Sequence, residues 1–595
     1  MTRKPLRPLA RILSAREKGE STVQIEKDNI RLRHEEMRNK ARGRAESRLL
    51  ILSLAFFMAF GVIGGKMAVL ANSEPAEPRH AATGSPILSQ RADITDRNGR
   101  ILATNLQTHA LYAQPEQMVD PAYAVTELLK IFPDINAERL LADFTGTRTF
   151  LWVRRQISPE QMQMVHDIGE PGLLFGPREM RLYPNGAIAA HILGGASYGR
   201  EGVSAAEVIG VAGTELYFDD YLRDPVHEGA PLILSIDLTV QAAMEEVLYD
   251  GMRLMNAKGA TGIIMDVQTG EILAMASLPD FDPNDRPAVP ITGDQSDSPL
   301  FNRASQGVYE LGSVFKVFAA AQALDLGLVN PSTMIDTQGP IRWGRHRIND
   351  FHPLGPTLST TDVIVESSNV GTAHLALMIG VERQQEFLGQ LGLLVPTELE
   401  MIEASTGRPQ LPPNWSELSL MTISYGHGLS ASPLHLAQAY ATIANGGMRV
   451  SPTLERQSAP QQGERVISER TSRQVLSILR QVVTHGTASF GEVPGYEVGG
   501  KTGTADKPRE GGGGYYDDRV IATFGAVFPT DDPRYVVVVT LDEPVETSGP
   551  RPRRTAGWTA VPVAAELIRR TAPLLGLRPN EEGRHVDGVI PVAQR

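Results

Sequence analysis

An uncharged apolar run begins directly after Arg48 in this 595-residue chain. The run reads LLILSLAFFMAFGVIGG over residues 49–65 and continues past a single Lys66 as MAVLA. About 20 apolar residues cross the core of a bilayer, and the stem of a lysine near one end reaches the interface. We therefore predict a transmembrane helix over residues 49–71. A cleaved signal peptide is the alternative, but its charged region is short and its apolar core spans about 7–15 residues.

Charge is distributed unevenly on either side of this run. Residues 1–48 contain 14 Lys/Arg and 7 Asp/Glu, a balance of +7, whereas the whole chain carries -12, so residues 49–595 carry -19. Positive loops stay on the cytoplasmic side of a membrane. We therefore predict a single-pass protein with a basic cytoplasmic arm, residues 1–48, and with everything after the span outside. The arm is interpreted as a topology signal that is flexible or loosely helical.

Composition excludes several kinds of chemistry. The chain has no cysteine, which rules out disulfides, a thiol nucleophile, cysteine-ligated iron–sulfur clusters and zinc fingers. The negative net charge argues against a nucleic-acid partner. The 13 histidines show no metal-ligand spacing. Nucleophilic chemistry in this chain must therefore use oxygen or nitrogen.

The part outside the membrane divides into two regions. Residues 72–88 are rich in Pro, Ser and Ala without periodicity and are predicted to be a linker. A boundary near residue 230 separates residues 89–230 from a larger domain at 231–575, and residues 576–595 are predicted to be a flexible tail. The larger domain has two early strand-like runs (260–267 and 271–277), a helix-rich middle (314–479) and three late strand-like runs (496–504, 520–528 and 535–541). This order predicts one antiparallel sheet with helices packed on it.

A serine at the predicted start of a helix is the first candidate for chemistry. Ser313 follows a glycine and precedes an apolar helical pattern, and Lys316 lies three positions on, on the same helix face. A serine hydroxyl becomes nucleophilic when a base removes its proton, which a neutral lysine amine one turn away can do. The helix N-terminus also favours the developing negative charge. Alone, this pattern occurs in many helices where the serine is a cap and the lysine is solvated.

Two further motifs follow in order. Ser367-Ser368-Asn369 lies 54 residues after Ser313, and Lys501-Thr502-Gly503-Thr504 lies on the first of the late strands. Alone, the first is typical of a turn and the second of an edge strand. The ordered set Ser-x-x-Lys, Ser-x-Asn and Lys-Thr-Gly is the signature of the penicillin-recognising serine acyl transferases. The chain resembles that group.

The resemblance extends from Arg91 to the C-terminus and is to the class B penicillin-binding proteins. Three stretches outside the catalytic region are similar to motifs of the pedestal domain in that class, which small carboxypeptidases and soluble β-lactamases lack: RADITDRNGRILA (91–103), RLYPNG (181–186) and GVAGTE (210–215). The stretch YGHGLS (425–430) is most similar to the cell-division members. Ala92, Leu311 and Val314 depart from the Gly, Pro and Thr that are usual in the family.

The resemblance implies an α+β fold with an N-terminal transmembrane helix, an elongated α+β pedestal or dimerisation-like domain (89–230) and a serine β-lactamase-like transpeptidase domain (231–575), whose antiparallel sheet is covered by helices. It implies a peptidoglycan D,D-transpeptidase of the division septum that cross-links stem peptides through a serine acyl-enzyme, is inhibited by β-lactams and uses no cofactor or metal. It also implies the cell inner membrane, a periplasmic catalytic domain and divisome partners that include a SEDS-type glycosyltransferase. An elongation-type enzyme and a non-catalytic β-lactam-binding sensor or anchor stay open.

The resemblance also carries roles to individual residues. Ser313 is then the nucleophile and Lys316 its base. Ser367 relays a proton to the departing D-Ala, and Asn369 bonds the substrate amide and helps to hold Lys316. The strand Lys501, Thr502, Gly503 and Thr504 binds substrate: Lys501, Thr502 and Thr504 hold the donor carboxylate, and the Lys501 charge helps to keep Lys316 neutral. The backbone N–H groups of Ser313 and Thr504 form the oxyanion hole.

A run of four glycines, 511–514, lies within the loop 508–518 (PREGGGGYYDD), just after that strand. Glycine runs are typical of flexible connections, so we predict a flexible hairpin connection. The alternative is a lid whose Tyr515 and Tyr516 close on substrate. His346 and His352, between the first two motifs, are predicted to pack or to form hydrogen bonds.

Overall fold

The computed structural model describes residues 7–72, 91–201, 206–509 and 514–580. Its N-terminal helices are α1 (Arg7–Glu17) and α2 (Val23–Asn72). Within α2, the stretch Arg48–Lys66 is long and apolar enough to cross a bilayer, as the sequence predicts. The arm is more helical than predicted, because residues 23–48 contain one glycine and no proline and are rich in Glu, Lys and Arg.

Contacts within the chain define two compact units. One comprises Met1–Arg79, Ala113–Leu151 and Ile168–Leu173, and the other comprises His80–Tyr112, Trp152–Asp167 and Leu174–Arg595. In the first unit, α3 (Pro121–Ile131) and α4 (Ala137–Thr145) pack on each other and bury Leu128 and Phe144. The Asp120 carboxylate caps α3 by accepting a hydrogen bond from the N–H of Tyr123.

A five-stranded sheet in the order β3–β2–β1–β7, with β4 also paired to β2, is the framework of residues 91–233. Its strands are β1 (Ile94–Thr95), β2 (Ile101–Ala113), β3 (Leu151–Ile157), β4 (Leu173–Leu182) and β7 (Leu232–Ile233). A separate hairpin is formed by β5 (Gly195–Glu201) and β6 (Ala206–Ala212). The helices are α5 (Pro159–His166), α6 (Ala190–Leu193), α7 (Gly213–Tyr217) and α8 (Asp219–Arg223). Because β7 pairs in parallel with β1, the chain just beyond residue 230 completes this sheet.

A buried ion cluster joins the three pedestal motifs. Arg91 donates to the Glu215 carboxylate at 2.7 Å and Arg181 donates to its other oxygen at 2.6 Å. The hydroxyl of Tyr183 also donates to Glu215, at 3.2 Å, and Arg91 forms a second ion pair with Asp219 at 2.6 Å. The side chains of Arg91, Arg181 and Glu215 are at most 3% exposed. Stretches more than 100 residues apart in sequence thus meet at one carboxylate, which we call the Glu215 cluster.

The larger domain contains an antiparallel sheet in the order β14–β15–β16–β8–β9. Its strands are β8 (Gly259–Asp266), β9 (Ile272–Leu278), β14 (Gly499–Pro508), β15 (Tyr515–Phe528) and β16 (Tyr535–Asp542). All eight residues of β16 are buried, so helices cover both faces of the sheet at this strand. The predicted architecture, early and late strands in one sheet under helices, is confirmed.

Helices against this sheet build the main core. Helix α9 packs on β8 and β9, α18 packs on α9 and β16, and α16 packs on β8, β15 and β16. The helices of this domain are α9 (Leu238–Leu254), α10 (Lys316–Asp325), α11 (Thr360–Val365), α12 (Asn369–Ile379), α13 (Val381–Gln390), α14 (Ile402–Thr406), α15 (Glu417–Ser424), α16 (Pro433–Ala444), α17 (Glu469–His485) and α18 (Ala560–Leu574).

The middle of this domain is less uniformly helical than the sequence suggests. Two small sheets lie within it: β10 (Met334–Asp336) pairs with β13 (Thr357–Ser359), and β11 (Ile341–Trp343) pairs with β12 (His346–Ile348). Three-residue strands are too short to show the alternation by which a strand is recognised. The predicted linker after Asn72, the glycines 511–513 and the tail from residue 581 lie outside the described residues.

Candidate active site

Ser313 lies in a 3-10 turn, Gly312–Phe315, that leads directly into α10, and Lys316 is the first residue of that helix. The turn packs against β14 so closely that both segments need a glycine at the contact. Gly312 has φ +62° and a side chain on it would approach the Thr504 backbone to 2.6 Å, whereas one on Gly503 would meet the Leu311 carbonyl at 2.1 Å. The serine motif and the Lys-Thr-Gly strand are therefore in direct backbone contact.

The Ser367 hydroxyl lies between two buried lysine amines. The Lys316 Nζ atom is 3.1 Å from Ser367 Oγ and donates to the Ser367 carbonyl at 2.5 Å. The Lys501 Nζ atom is 3.0 Å from the same Oγ. Both lysines are fully buried. A hydroxyl has one proton to donate and lone pairs to accept with, so it can accept from one ammonium while it donates to the other amine once that amine is neutral.

Burial changes the protonation of both lysines. Desolvation, followed by the nearby Lys501 charge, holds the pKa of Lys316 well below its ordinary value, while the Asp350 carboxylate acts in the opposite direction. Burial lowers the pKa of Lys501 to about 7. Among the described residues, neither amine forms an ion pair with a carboxylate. Near neutral pH a free amine is therefore available beside Ser367.

Helix α12 begins at the second motif and is held by a carboxylate that the sequence analysis did not single out. Ser368 caps the helix, and its hydroxyl donates to Asp350 at 2.8 Å. The same carboxylate accepts from the backbone N–H groups of Asn369 at 2.5 Å and Val370 at 3.1 Å. Ser367 just before the helix has φ +62°, a strained value for a residue with a side chain. Asp350 thus fixes the helix end on which Ser367 is presented.

Strand β14 presents the third motif. The Thr502 hydroxyl is 2.8 Å from the Thr487 hydroxyl, and Lys501 Nζ donates to the Thr502 carbonyl at 3.2 Å. The Thr504 hydroxyl accepts from the backbone N–H of Ala556 at 2.9 Å. The hydroxyls of Thr502 and Thr504 therefore each have a partner that fixes their position.

These groups share a cavity of about 440 Å³. Predicted residues that line it are Ser313, Ser367, Asn369, Thr502 and Thr504; other lining residues include Phe351, His352, His427, Thr487, Phe490 and Trp558. The rings of Phe490 and Trp558 pack with centroids 5.0 Å apart, and the Arg553 guanidinium lies 3.7 Å from the Trp558 ring centroid. The cavity therefore combines hydroxyl groups with an aromatic wall, as small-ligand sites commonly do.

One residue of the glycine-run loop is bound next to the serine motif. The hydroxyl of Tyr515 donates to the Glu310 carboxylate at 3.1 and 3.0 Å. Glu310 also accepts from the backbone N–H of Gly428 at 2.7 Å, beside His427 in the cavity wall. Burial, followed by the Glu310 charge, raises the pKa of Tyr515 to about 12. The tyrosine therefore stays protonated and can donate this bond throughout the neutral range.

The structure brings the predicted site residues together with two differences from expectation. No hydrogen bond between Ser313 and Lys316 is present in the described part of the chain; Ser313 and Ser367 line the same cavity, and Lys316 bonds to Ser367. The amide of Asn369 donates to the Asn349 carbonyl at 2.9 Å, and Lys316 is held by Ser367. His346 and His352 are exposed; the His352 ring packs edge-on against the Phe351 ring, with centroids 6.3 Å apart, and lines the cavity.

Known proteins share both regions. Residues 260–568 match the family described as the penicillin binding protein transpeptidase domain, and residues 86–225 match the penicillin-binding protein dimerisation domain. The chain is 36% identical over 569 residues to the probable peptidoglycan D,D-transpeptidase FtsI of Caulobacter vibrioides, with 93% of each chain covered.

More distant relatives are similar to this chain over most of its length. The chain is 29% identical over 481 residues to the peptidoglycan D,D-transpeptidase FtsI of Escherichia coli, which covers 77% of this chain and 80% of that protein. The fold matches penicillin binding protein 3 from Mycobacterium tuberculosis, solved in complex with aztreonam, with a TM-score of 0.62 at 26% identity over 83% of this chain and 97% of that one. The chain therefore belongs to the class B penicillin-binding proteins.

Proposed function

We propose that this protein is a peptidoglycan D,D-transpeptidase of the division septum that works through an acyl-enzyme on Ser313 and is blocked by β-lactams. The observation that carries the proposal is the Ser367 hydroxyl between two buried lysine amines, at 3.1 and 3.0 Å, in the cavity that Ser313 lines. The names of the FtsI relatives and the bound aztreonam of the mycobacterial structure support the same activity.

Acylation begins at Ser313. Its proton passes to neutral Lys316, and its oxygen attacks the carbonyl of the penultimate D-Ala in a donor stem peptide. The backbone N–H groups of Ser313 and Thr504 stabilise the oxyanion, and each such donor typically contributes about 3–4 kcal/mol. No cofactor or metal takes part in this proposal. The low pKa of Lys316 matters here because a protonated lysine cannot accept the serine proton.

Ser367 completes the proton transfer. The Lys316 ammonium donates a proton to Ser367, and Ser367 passes its own proton to the departing D-Ala amine as the C–N bond breaks. Strand β14 holds the donor carboxylate through Lys501, Thr502 and Thr504, with Gly503 allowing the close backbone contact. Asn369 bonds the substrate amide. An amine of a neighbouring stem peptide then attacks the acyl-enzyme, and its proton returns to Ser313 by the same groups.

Each segment of the chain has a proposed place relative to the membrane. We propose that the arm (1–48) is cytoplasmic, that the span (49–71) lies in the cell inner membrane, and that the linker (72–88), the pedestal (89–230), the transpeptidase domain (231–575) and the tail (576–595) are periplasmic. The basic arm supports this orientation. Septal work implies divisome membrane partners, among them a SEDS-type glycosyltransferase that supplies glycan strands.

Labelled penicillin tests the chemistry. We expect a long-lived adduct whose mass maps to Ser313, and cross-linked products from stem-peptide substrates that vanish in Ser313→Ala. Rapid release of the label would indicate a hydrolase instead, and an adduct without cross-links would indicate a sensor. A fluorescent fusion is expected at midcell, and depletion is expected to give filaments; round cells on depletion would indicate the elongation role.

A further inference from the structure

The hairpin β11–β12 exposes three arginines that form no ion pair with any residue the structure describes. Its sequence, IRWGRHRI, places Arg342 directly across from Arg347 in the strand register, and Arg345 lies in the turn between them. All three side chains are exposed, and none of them forms an ion pair within the part of the chain that the structure describes. We call Arg342, Arg345 and Arg347 the basic hairpin.

Repulsion between the facing arginines destabilises the hairpin by itself, and a bound anion would reduce that repulsion. Like charges directly opposite each other in an antiparallel pair are destabilising, and Arg342 and Arg347 are such a pair. The patch also contrasts with the chain after residue 48 taken as a whole, which carries a net charge of -19. Guanidinium groups bind carboxylates through paired N–H donors. The hairpin is therefore complementary to a ligand with free carboxylates.

The basic hairpin is continuous with the candidate active site. The chain leaves β12 at Ile348, and Asn349 and Asp350 immediately hold helix α12 through the bonds to Asn369 and Ser368. Two residues further on, Phe351 and His352 line the cavity that contains Ser313. The basic hairpin is thus only a few residues along the chain from two side chains that line the same cavity as Ser313.

Aromatic surface accompanies the charge. Trp343, between Arg342 and the turn, is 41% exposed, and Phe351 is 94% exposed. Exposed aromatic rings beside arginines are typical of recognition surfaces. An acidic peptide fits this surface, because its carboxylates match the arginines and one of its side chains can pack on Trp343.

We propose that the basic hairpin binds the carboxylates of the acceptor stem peptide and so positions its amine at the acyl-enzyme. This inference rests on the proposed function. The donor carboxylate is assigned to the buried Lys501 strand, which leaves the exposed guanidiniums to the second peptide, the one that arrives from solvent once D-Ala has left. Because the hairpin is proposed to bind the acceptor, loss of its arginines should raise the KM for the acceptor. The increase should be modest, because solvent screens exposed charges.

The test compares two double variants of the full chain in detergent. Arg342→Ala/Arg347→Ala removes the facing pair. Arg456→Ala/Arg470→Ala is the matched control, because both of its arginines are exposed and neither forms an ion pair within the part of the chain that the structure describes. The acceptors are a synthetic amine-bearing peptide with free carboxylates and the same peptide with those carboxylates amidated. Acylation by labelled penicillin is measured in parallel.

We expect the hairpin variant to raise the KM for the carboxylate acceptor about three- to tenfold, to leave the amidated acceptor and the acylation rate unchanged, and to differ from the control. High salt should shrink the wild-type preference for the carboxylate acceptor. Equal KM values for both acceptors in the wild type, or an unchanged KM in the hairpin variant, would overturn the inference while cross-linking persists. Absence of cross-linking in the wild type would instead remove the proposed function itself.

Discussion

Two groups of buried cations in this protein have opposite surroundings. In the Glu215 cluster, Arg91 and Arg181 each meet a carboxylate within 2.7 Å. In the active site, Lys316 and Lys501 are equally buried but meet hydroxyls and carbonyls, and their pKa values fall. Paired cations keep their charge and connect distant stretches of chain. Buried amines without a carboxylate partner have lowered pKa values, and the neutral form of such an amine is able to accept the proton of a nucleophile.

The residue types match this division. Arginine stays charged under all ordinary conditions and offers a planar set of donors for carboxylates, whereas lysine changes its pKa readily when buried. The pedestal has arginines at a junction between distant stretches of chain, and the transpeptidase domain has lysines at the site where we propose proton transfer. Removal of a charge is therefore expected to lower the stability of the protein in the Glu215 cluster and to lower the rate of acylation in the active site.

Glu215→Gln is expected to have the largest effect on folding. The amide keeps the shape of the side chain but leaves Arg91 and Arg181 buried without this counter-charge, so the free energy of unfolding should fall by about 3–5 kcal/mol. Denaturant unfolding of the full chain measures it. Glu246→Gln is the control, because Glu246 pairs with Arg570 on the surface at 3.1 Å and such pairs contribute about 0–1 kcal/mol. Equal losses in the two variants would show that the Glu215 cluster is not a structural junction.

Lys501→Met should move the pH dependence of acylation. The Lys501 charge disfavours protonated Lys316, so its removal raises the pKa of Lys316, and the acid limb of the acylation rate should shift upward by about one pH unit. Lys501 carries its proton mainly below about pH 7, so the coupling is expressed there. Lys501→Arg, which keeps the charge, should leave the limb at low pH. If the acid limb of the acylation rate stays at the same pH in Lys501→Met, the Lys501 charge does not affect the pKa of Lys316.

Tyr515→Phe is expected to have the smallest effect. It removes the hydroxyl that donates to Glu310, a partly exposed bond that contributes about 1 kcal/mol, and the rate constant for acylation should fall about fivefold. Tyr516→Phe is the matched control, because Tyr516 contacts Arg519 through its ring, whose centroid lies 4.4 Å from the guanidinium. If the two variants behave alike, the lid interpretation of this loop is wrong.

Sequence patterns predicted the fold where apolar residues alternate or cluster. The five strands of the catalytic sheet were expected from such runs, and their assembly into one sheet is confirmed. The ends were less accurate: β15 begins at Tyr515 rather than at Val520, because residues 515–519 are polar and mostly exposed, so they carry no apolar signal. The small sheet β11–β12 was missed for a similar reason, since each of its strands has three residues.

Motifs located the proposed catalytic residues but not the residues that hold them. Serine and threonine residues of the three motifs line one cavity, and the motif lysines reach it through their bonds to Ser367. Asp350 and Glu310 act through contacts that the chain makes only after folding: Asp350 reaches α12 from 18 residues away, and Tyr515 reaches Glu310 across 205 residues. Neither carboxylate has a local pattern that distinguishes it from a solvated one. The Glu215 cluster shows the same limit, because its three motifs were visible but their meeting point was not.

Acylation and thermal unfolding of one variant, Lys316→Met, distinguish a chemical role of the buried amine from a structural one. Methionine is apolar and of similar length, so it replaces a buried amine that lacks a carboxylate partner without leaving a cavity. We predict that adduct formation with labelled penicillin falls by about 10²–10⁴-fold while the Tm equals or exceeds that of the wild type. A Tm loss as large as that of Glu215→Gln, with acylation within about tenfold of the wild type, would contradict the account.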